Sequence, residues 1–219
     1  MEPRSGAPRA AEPHQALTTL LFIALGYVVG SIPTGVLLAR TAGVDVRRAG
    51  SGNIGATNVA RTAGARLGLL TLVGDAAKGA LPALAARTFS GDPTLAAASG
   101  FAAFVGHLFP LSLGFAGGKG VATALGVALV LCPLAAAAAA AAFTAVLGST
   151  RYVSLGSLAG AAAAPFATAL SGCPSPDLVA IATMGALIWL RHAANLARLV
   201  AGTEPRFAIV LKKQASLTK

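Results

Sequence analysis

The chain has 219 residues, of which 55% are hydrophobic and only 11% charged, and its mean hydropathy is +0.73. Soluble domains carry roughly a quarter charged residues, so this composition lies outside that of a water-soluble globular enzyme, and the length leaves no room for a large soluble domain beside a membrane part. The formal net charge of +10 is of the kind that faces the cytoplasm and anionic lipid in membrane proteins, and with 5% aromatic residues there is no base-stacking surface, so no nucleic-acid partner is expected. Two cysteines make neither a disulfide framework nor a CxxC metal signature.

A bilayer core needs about 20 apolar residues per helix. Residues 1–16 are Pro-rich and read as a disordered tail. Leu17 to Ala39 follows without a charge and reads as one retained helix. Leu67 to Thr88 is the second span, carrying Asp75, Lys78 and Arg87, and Thr94 to Leu113 is the third. Val121 to Leu147 is too long for one upright helix and short for two, with Pro133 near its middle. Val153 to Ser171 and Asp177 to Leu190 complete the set, and residues 208–219 form a basic tail after a membrane domain spanning 17–207. A turn at Cys132-Pro133 gives seven spans and puts 13 of the 17 Lys and Arg in the cytoplasmic segments 40–66, 114–119, 148–152 and 191–219; a single helix there would put most of them outside. The expected fold is therefore an all-α polytopic membrane protein of seven transmembrane helices, N-terminus outside and C-terminus cytoplasmic. The alanine run 135–142 reads as close helix packing.

Three polar clusters fall on the cytoplasmic face in this topology. The first, Gly50-Ser51-Gly52-Asn53-Ile54-Gly55-Ala56-Thr57-Asn58 with Arg61, offers hydroxyls, amides and flexible glycines. Its plain alternative is an ordinary Gly/Asn turn. The second, Gly117-Gly118-Lys119-Gly120, opens a helix, where free N–H groups and a positive dipole end suit a phosphate; it lacks Walker A spacing. The third has His192 and Asn195 at i, i+3 on one helix face, then Arg198 and Glu204, which suits a salt bridge better than catalysis. No HExxH or paired His/Cys set exists, so neither a metal nor another cofactor is expected. His107 is expected to bond a carbonyl at a helix end. Asp75 and Lys78, i, i+3 within an apolar span, form either a structural ion pair or the wall of a polar cavity. They are also the feature that favours a small anion or metabolite transporter, whose sites otherwise lie at the midplane between repeats not seen here. Cys132 and Cys173 both fall on the outer side, where they are able to pair; pairing is left open.

Taken together and in order, Gly30-Ser31-Ile32-Pro33-Thr34-Gly35, the first cluster with Arg61, Asp75 with Lys78-Gly79, Gly106-His107 with Phe109-Pro110, Gly117-Gly118-Lys119-Gly120-Val121-Ala122-Thr123, Arg191-His192 with Asn195, and Gly202-Thr203-Glu204-Pro205 resemble the bacterial acyl-phosphate:glycerol-3-phosphate acyltransferases, the PlsY family, between residues 20 and 207. The resemblance implies a multi-pass enzyme of the bacterial cytoplasmic membrane. It would move an acyl group from acyl-phosphate, supplied by a soluble upstream enzyme, to the 1-hydroxyl of glycerol-3-phosphate. It also implies catalytic roles for Ser51, Arg61, His192 and Asn195. Asn53, Thr57, Asn58, Gly117, Gly118, Lys119 and Gly120 are expected to bind substrate. His192 is expected either to act as general base or only to bind and orient, binding being favoured because no carboxylate is visible beside it.

Overall fold

A computed structural model of the protein describes residues 13–207. The described chain is helical: α1 Pro13–Gly30, α2 Thr34–Thr41, α3 Ala56–Ala63, α4 Ala65–Ser90, α5 Pro93–Leu108, a 3-10 turn Leu111–Leu113, α6 Val121–Leu131, α7 Pro133–Thr150, α8 Val153–Leu170, α9 Ser175–Arg191 and α10 Ala193–Val200. Five stretches are long and apolar enough to cross a membrane: His14–Thr41 taken together, α4, Pro93–Leu113, α7 and α8. A sixth arises if α9 and α10, bent by 53°, count as one. Helix α6 is apolar but has only 11 residues.

Two sequence expectations need correction. The first helix begins at Pro13, inside the segment read as a tail, because proline at a helix start loses no intrahelical bond. Residues 1–12 and the basic segment 208–219 lie outside the described residues. The run Leu17 to Ala39 is not one helix. It breaks over Ser31-Ile32-Pro33, since Pro33 has no N–H to continue the ladder to Val29, and the Ile32 carbonyl at the break accepts a 2.8 Å bond from Lys78 Nζ. The third span, expected over Thr94 to Leu113, is present as the apolar stretch Pro93–Leu113, its regular helix ending at Leu108 where Phe109-Pro110 turns the chain.

Small residues let the helices touch backbone to backbone, as expected in lipid. A Cβ placed on Gly30 of α1 would stand 1.9 Å from the Ala103 carbonyl oxygen of α5, and one on Gly126 of α6 would stand 1.9 Å from that of Ala76 in α4. The outward faces carry exposed leucines and valines such as Leu20, Leu25, Leu69 and Val73, which is the inverse of a soluble protein's surface. The inner core centres on Phe104, Leu108, Val127, Leu131, Ile181 and Met184.

The turn at Cys132-Pro133 is present, and it is held from three sides. Arg87 of α4 donates through Nη1 to the Val130 and Leu131 carbonyls, at 3.2 Å for Leu131, and so satisfies the C-terminal end of the short α6. Its other Nη lies 3.6 Å from the fully buried Asp177 carboxylate of α9. Cys132 and Cys173 form a disulfide across 41 residues, which resolves the question the sequence left open. Closing a loop of that size is worth up to about 4 kcal/mol on chain-entropy grounds. Cys132→Ala or Cys173→Ala is therefore expected to lower the melting temperature in detergent by several degrees under oxidising conditions; a reductant should do the same to wild type and nothing further to the variants.

Candidate active site

The first polar cluster folds around one amide. Asn58, buried in the first turn of α3, accepts from the Ser51 N–H at 2.9 Å and shares its amide hydrogens among the carbonyls of Val46 (3.0 Å), Ala49 (3.0 Å) and Asn53 (2.9 Å). Gly50, at φ +60, passes so close that a Cβ there would meet the Asn58 Oδ1 at 2.3 Å. Asn53 accepts from the Gly55 N–H at 2.8 Å, an Asx turn that delivers the chain into α3. The Asn58 side chain is occupied inward and shapes the loop, whereas the half-buried Asn53 spends only its Oδ1 on the turn. Ser51 and Arg61 are exposed and Thr57 is half-buried, so these three carry the loop's outward chemistry. Val46 and Ile54 pack against Leu113, so the loop abuts the segment leading to the lysine loop.

In the lysine loop the glycines face otherwise than expected. The Gly117 and Gly118 N–H groups donate to the Leu108 and His107 carbonyls at 3.1 and 3.2 Å, and their own carbonyls accept from the Arg191 guanidinium at 3.1–3.2 Å. They anchor the loop between α5 and α9 and do not offer N–H groups to a phosphate. Arg191 also lies over the Phe109 ring, 5.7 Å from its centre. Gly120, at φ +80, precedes α6, whose first-turn N–H groups take no side-chain cap and open beside Lys119.

Lys119 Nζ donates to Asn195 Oδ1. Asn195 in turn donates to Glu204 Oε1 at 2.6 Å, and Glu204 Oε2 takes Arg198 Nε at 2.8 Å. His192 sits at the joint of α9 and α10, buried like Asn195. Its Nδ1–H donates to the Ile188 carbonyl at 2.8 Å, and the Lys119 charge acts on the ring, so the neutral imidazole keeps its lone pair on Nε2. Burial raises the pKa of Glu204, but bonds from Asn195 and Arg198 outweigh it and hold the carboxyl below its usual value. Burial lowers the Lys119 pKa to about 8, with Glu204 opposing and Arg198 and Arg191 adding to the fall. Lys119 thus lies within the field of one carboxylate, Glu204, and two arginines, Arg198 and Arg191, an excess of two positive charges that suits a phosphate dianion.

The structure brings Lys119, His192 and Asn195 together as expected. It adds two residues the sequence reading did not place in the site: Glu204, beyond the salt bridge expected of it, and Arg191. The Gly202-Thr203-Glu204-Pro205 turn was visible, but only its return onto α10, with the Thr203 N–H on the Arg198 carbonyl at 2.8 Å, gives Glu204 its place. His107 bonds no carbonyl through its ring, contrary to expectation: Nδ1 lies 3.2 Å from Thr123 Oγ1 and 3.6 Å from Asp75 Oδ1.

Residues 20–202 match the family model described as glycerol-3-phosphate acyltransferase. The chain belongs to the PlsY family of glycerol-3-phosphate acyltransferases. A glycerol-3-phosphate acyltransferase from Geobacter sulfurreducens is 51% identical over 193 residues, covering 87% of this chain and 98% of the relative. One from Myxococcus xanthus is 51% identical over 191 residues, covering 86% and 100%. The fold also matches the crystal structure of PlsY, an integral membrane glycerol 3-phosphate acyltransferase, in its glycerol 3-phosphate form, with a TM-score of 0.83 and 40% identity over 87% of this chain and 96% of that one. Its lysophosphatidic acid form matches with a TM-score of 0.82. This chain is accordingly an all-α, multi-pass membrane protein of the acyltransferase class.

Proposed function

We propose that the protein transfers a fatty acyl group from acyl-phosphate to the 1-hydroxyl of glycerol-3-phosphate, giving 1-acylglycerol-3-phosphate and inorganic phosphate, the first acylation of phospholipid synthesis. The observation that carries this reading is the Lys119–Asn195–Glu204–Arg198 chain with Arg191 and His192 beside it, a cationic, partly desolvated cluster that matches a phosphate monoester bearing hydroxyls. Acyl-phosphate is already activated, so the protein has to bring two anions together, orient a hydroxyl and stabilise developing charge. Lys119, with the first turn of α6, would hold one phosphate. Arg61 and Ser51, on the neighbouring loop, would serve the other. Asn195 and His192 Nε2 would orient the glycerol hydroxyl, with the departing phosphate available to take its proton.

The matching topology has seven spans, the bent α9–α10 pair and the short α6 being added to the five long ones. The N-terminus lies outside, and the site faces the cytoplasm at the bacterial inner membrane. The Lys- and Arg-bearing loops at one end and the disulfide at the other support it. A soluble enzyme upstream would supply the acyl-phosphate. The transporter alternative rested on Asp75 and Lys78, and these are consumed in a 2.9 Å ion pair and a bond to Ile32.

Purified protein in lipid, given glycerol-3-phosphate and palmitoyl-phosphate, is expected to release phosphate and 1-acylglycerol-3-phosphate, and to release no thiol from palmitoyl-CoA. Lack of turnover by well-folded protein with palmitoyl-phosphate, or equal use of palmitoyl-CoA, would sink the reading. Lys119 also predicts the pH dependence. Its ammonium is lost as pH rises through about 8 in the free enzyme, whereas a bound phosphate dianion raises that value, so binding takes up a proton above pH 8. The KM for glycerol-3-phosphate should then climb by up to about tenfold per pH unit above 8, and Lys119→Arg should flatten the climb even if its baseline is poor.

A further inference from the structure

We propose that Asp75, Lys78 and His107 form a buried positioning network for the lysine loop: the ion pair fixes the His107 ring, and the ring edge sets where Gly118, and with it Lys119, stands. The contacts run unbroken across four elements. Lys78 Nζ ties the break between α1 and α2, through the Ile32 carbonyl at 2.8 Å, to Asp75 Oδ1 at 2.9 Å. Asp75 Oδ1 lies 3.6 Å from His107 Nδ1 in α5, and Thr123 Oγ1 in the first turn of α6 lies 3.2 Å from the same nitrogen. The far edge of the ring, Nε2, meets the lysine loop: a Cβ on Gly118 would stand 2.2 Å from it, and the Gly118 N–H is bonded to the His107 carbonyl at 3.2 Å. Asp75, Lys78, His107 and Thr123 are each no more than 5% exposed.

Such a cluster is an expensive way to fill space. Charges inside an apolar span cost free energy even when paired, and apolar residues of equal volume often pack there at no loss of stability. What apolar residues would lack is direction. The carboxylate and the Thr123 hydroxyl together hold one face of the imidazole in one orientation, so the opposite edge presents a fixed surface to a glycine that tolerates no displacement toward it. The residue after that glycine carries the charge that binds the phosphate. His107 touches no substrate in this arrangement; it acts through the loop.

The inference rests on the reading of Lys119 as the glycerol-3-phosphate anchor, so the test measures glycerol-3-phosphate binding by calorimetry without acyl donor, beside KM, kcat and melting temperature. His107→Asn keeps an amide near the place of Nδ1, within reach of Asp75 and Thr123, but removes the edge facing Gly118. It is expected to weaken glycerol-3-phosphate binding and raise its KM about tenfold, with kcat within about threefold of wild type and an unchanged melting temperature. Thr123→Val, isosteric and of little consequence for folding, should raise KM about threefold in the same way. If His107→Asn does not fold, Thr123→Val decides. A folded variant with unchanged affinity, or a loss confined to kcat in proportion to unfolded protein, overturns the inference. If instead Lys119→Ala binds glycerol-3-phosphate as wild type does, the anchor assignment itself has failed.

Discussion

Lys119→Ala is expected to lower kcat/KM for glycerol-3-phosphate by about 10²–10³, the range seen when a single preorganised charge or donor is removed from a desolvated site. The effect should be large because the side chain does two things. It supplies the ammonium, and it holds the Asn195 carbonyl oxygen, so that truncation releases both the anion contact and the orientation of the neighbouring amide. The melting temperature should hardly move, since the ammonium is half-buried beside Arg191 and Arg198 and its removal relieves repulsion. Lys119→Arg should recover only part of the activity: its planar fork does not reproduce a point charge at the end of a flexible stem. Steady-state kinetics with both substrates varied, paired with thermal unfolding in detergent, checks this. A loss of less than about fivefold would remove Lys119 from the catalytic arrangement, set against the typical worth of such a donor.

Asp75→Asn is expected to act in the opposite sense, on stability first. The Lys78 ammonium, with a side chain only 6% exposed, would lose its counter-charge inside a helix that crosses the membrane. Breaking a buried pair from one side costs about 3–5 kcal/mol, because the surviving charge is left uncompensated. For a chain of this size that corresponds to a fall of roughly 10 °C in melting temperature. Removing both charges with Asp75→Leu and Lys78→Met should recover most of that loss. A single variant that melts with wild type would show that the pair is not desolvated as its geometry requires.

The sequence announced a helical, multi-pass chain and the turn at Cys132-Pro133, which are written in local hydropathy and in a proline, and it put His192 and Asn195 on one face through their i, i+3 spacing. What it concealed were contacts made across large separations. Pro33 was visible inside an apolar run, but the partner of the Ile32 carbonyl at that break, Lys78, lies 46 residues on. Asn58 looked like a ligand because it shares a motif with Ser51 and Arg61; only the folded loop shows its amide turned inward. The glycines before Lys119 looked like free N–H donors, and it is Arg191, more than 70 residues away, that shows their peptide planes turned the other way. Glu204 joins the site only because the chain doubles back after α10.

Helix α6 has a consequence for how a two-faced substrate pair meets. Its 11 residues rise only about 16 Å, near half of a hydrocarbon core of about 30 Å. Lys119 before it and the Arg87–Asp177 pair after it therefore stand only a short helix apart. The helices α4, α5, α7 and α9 packed around it leave little of it outward, Leu129 among the exposed residues. If the reaction proposed above takes place at the head of this helix, its level would be one that a single-tailed amphiphile reaches from the lipid and a small anion from the water.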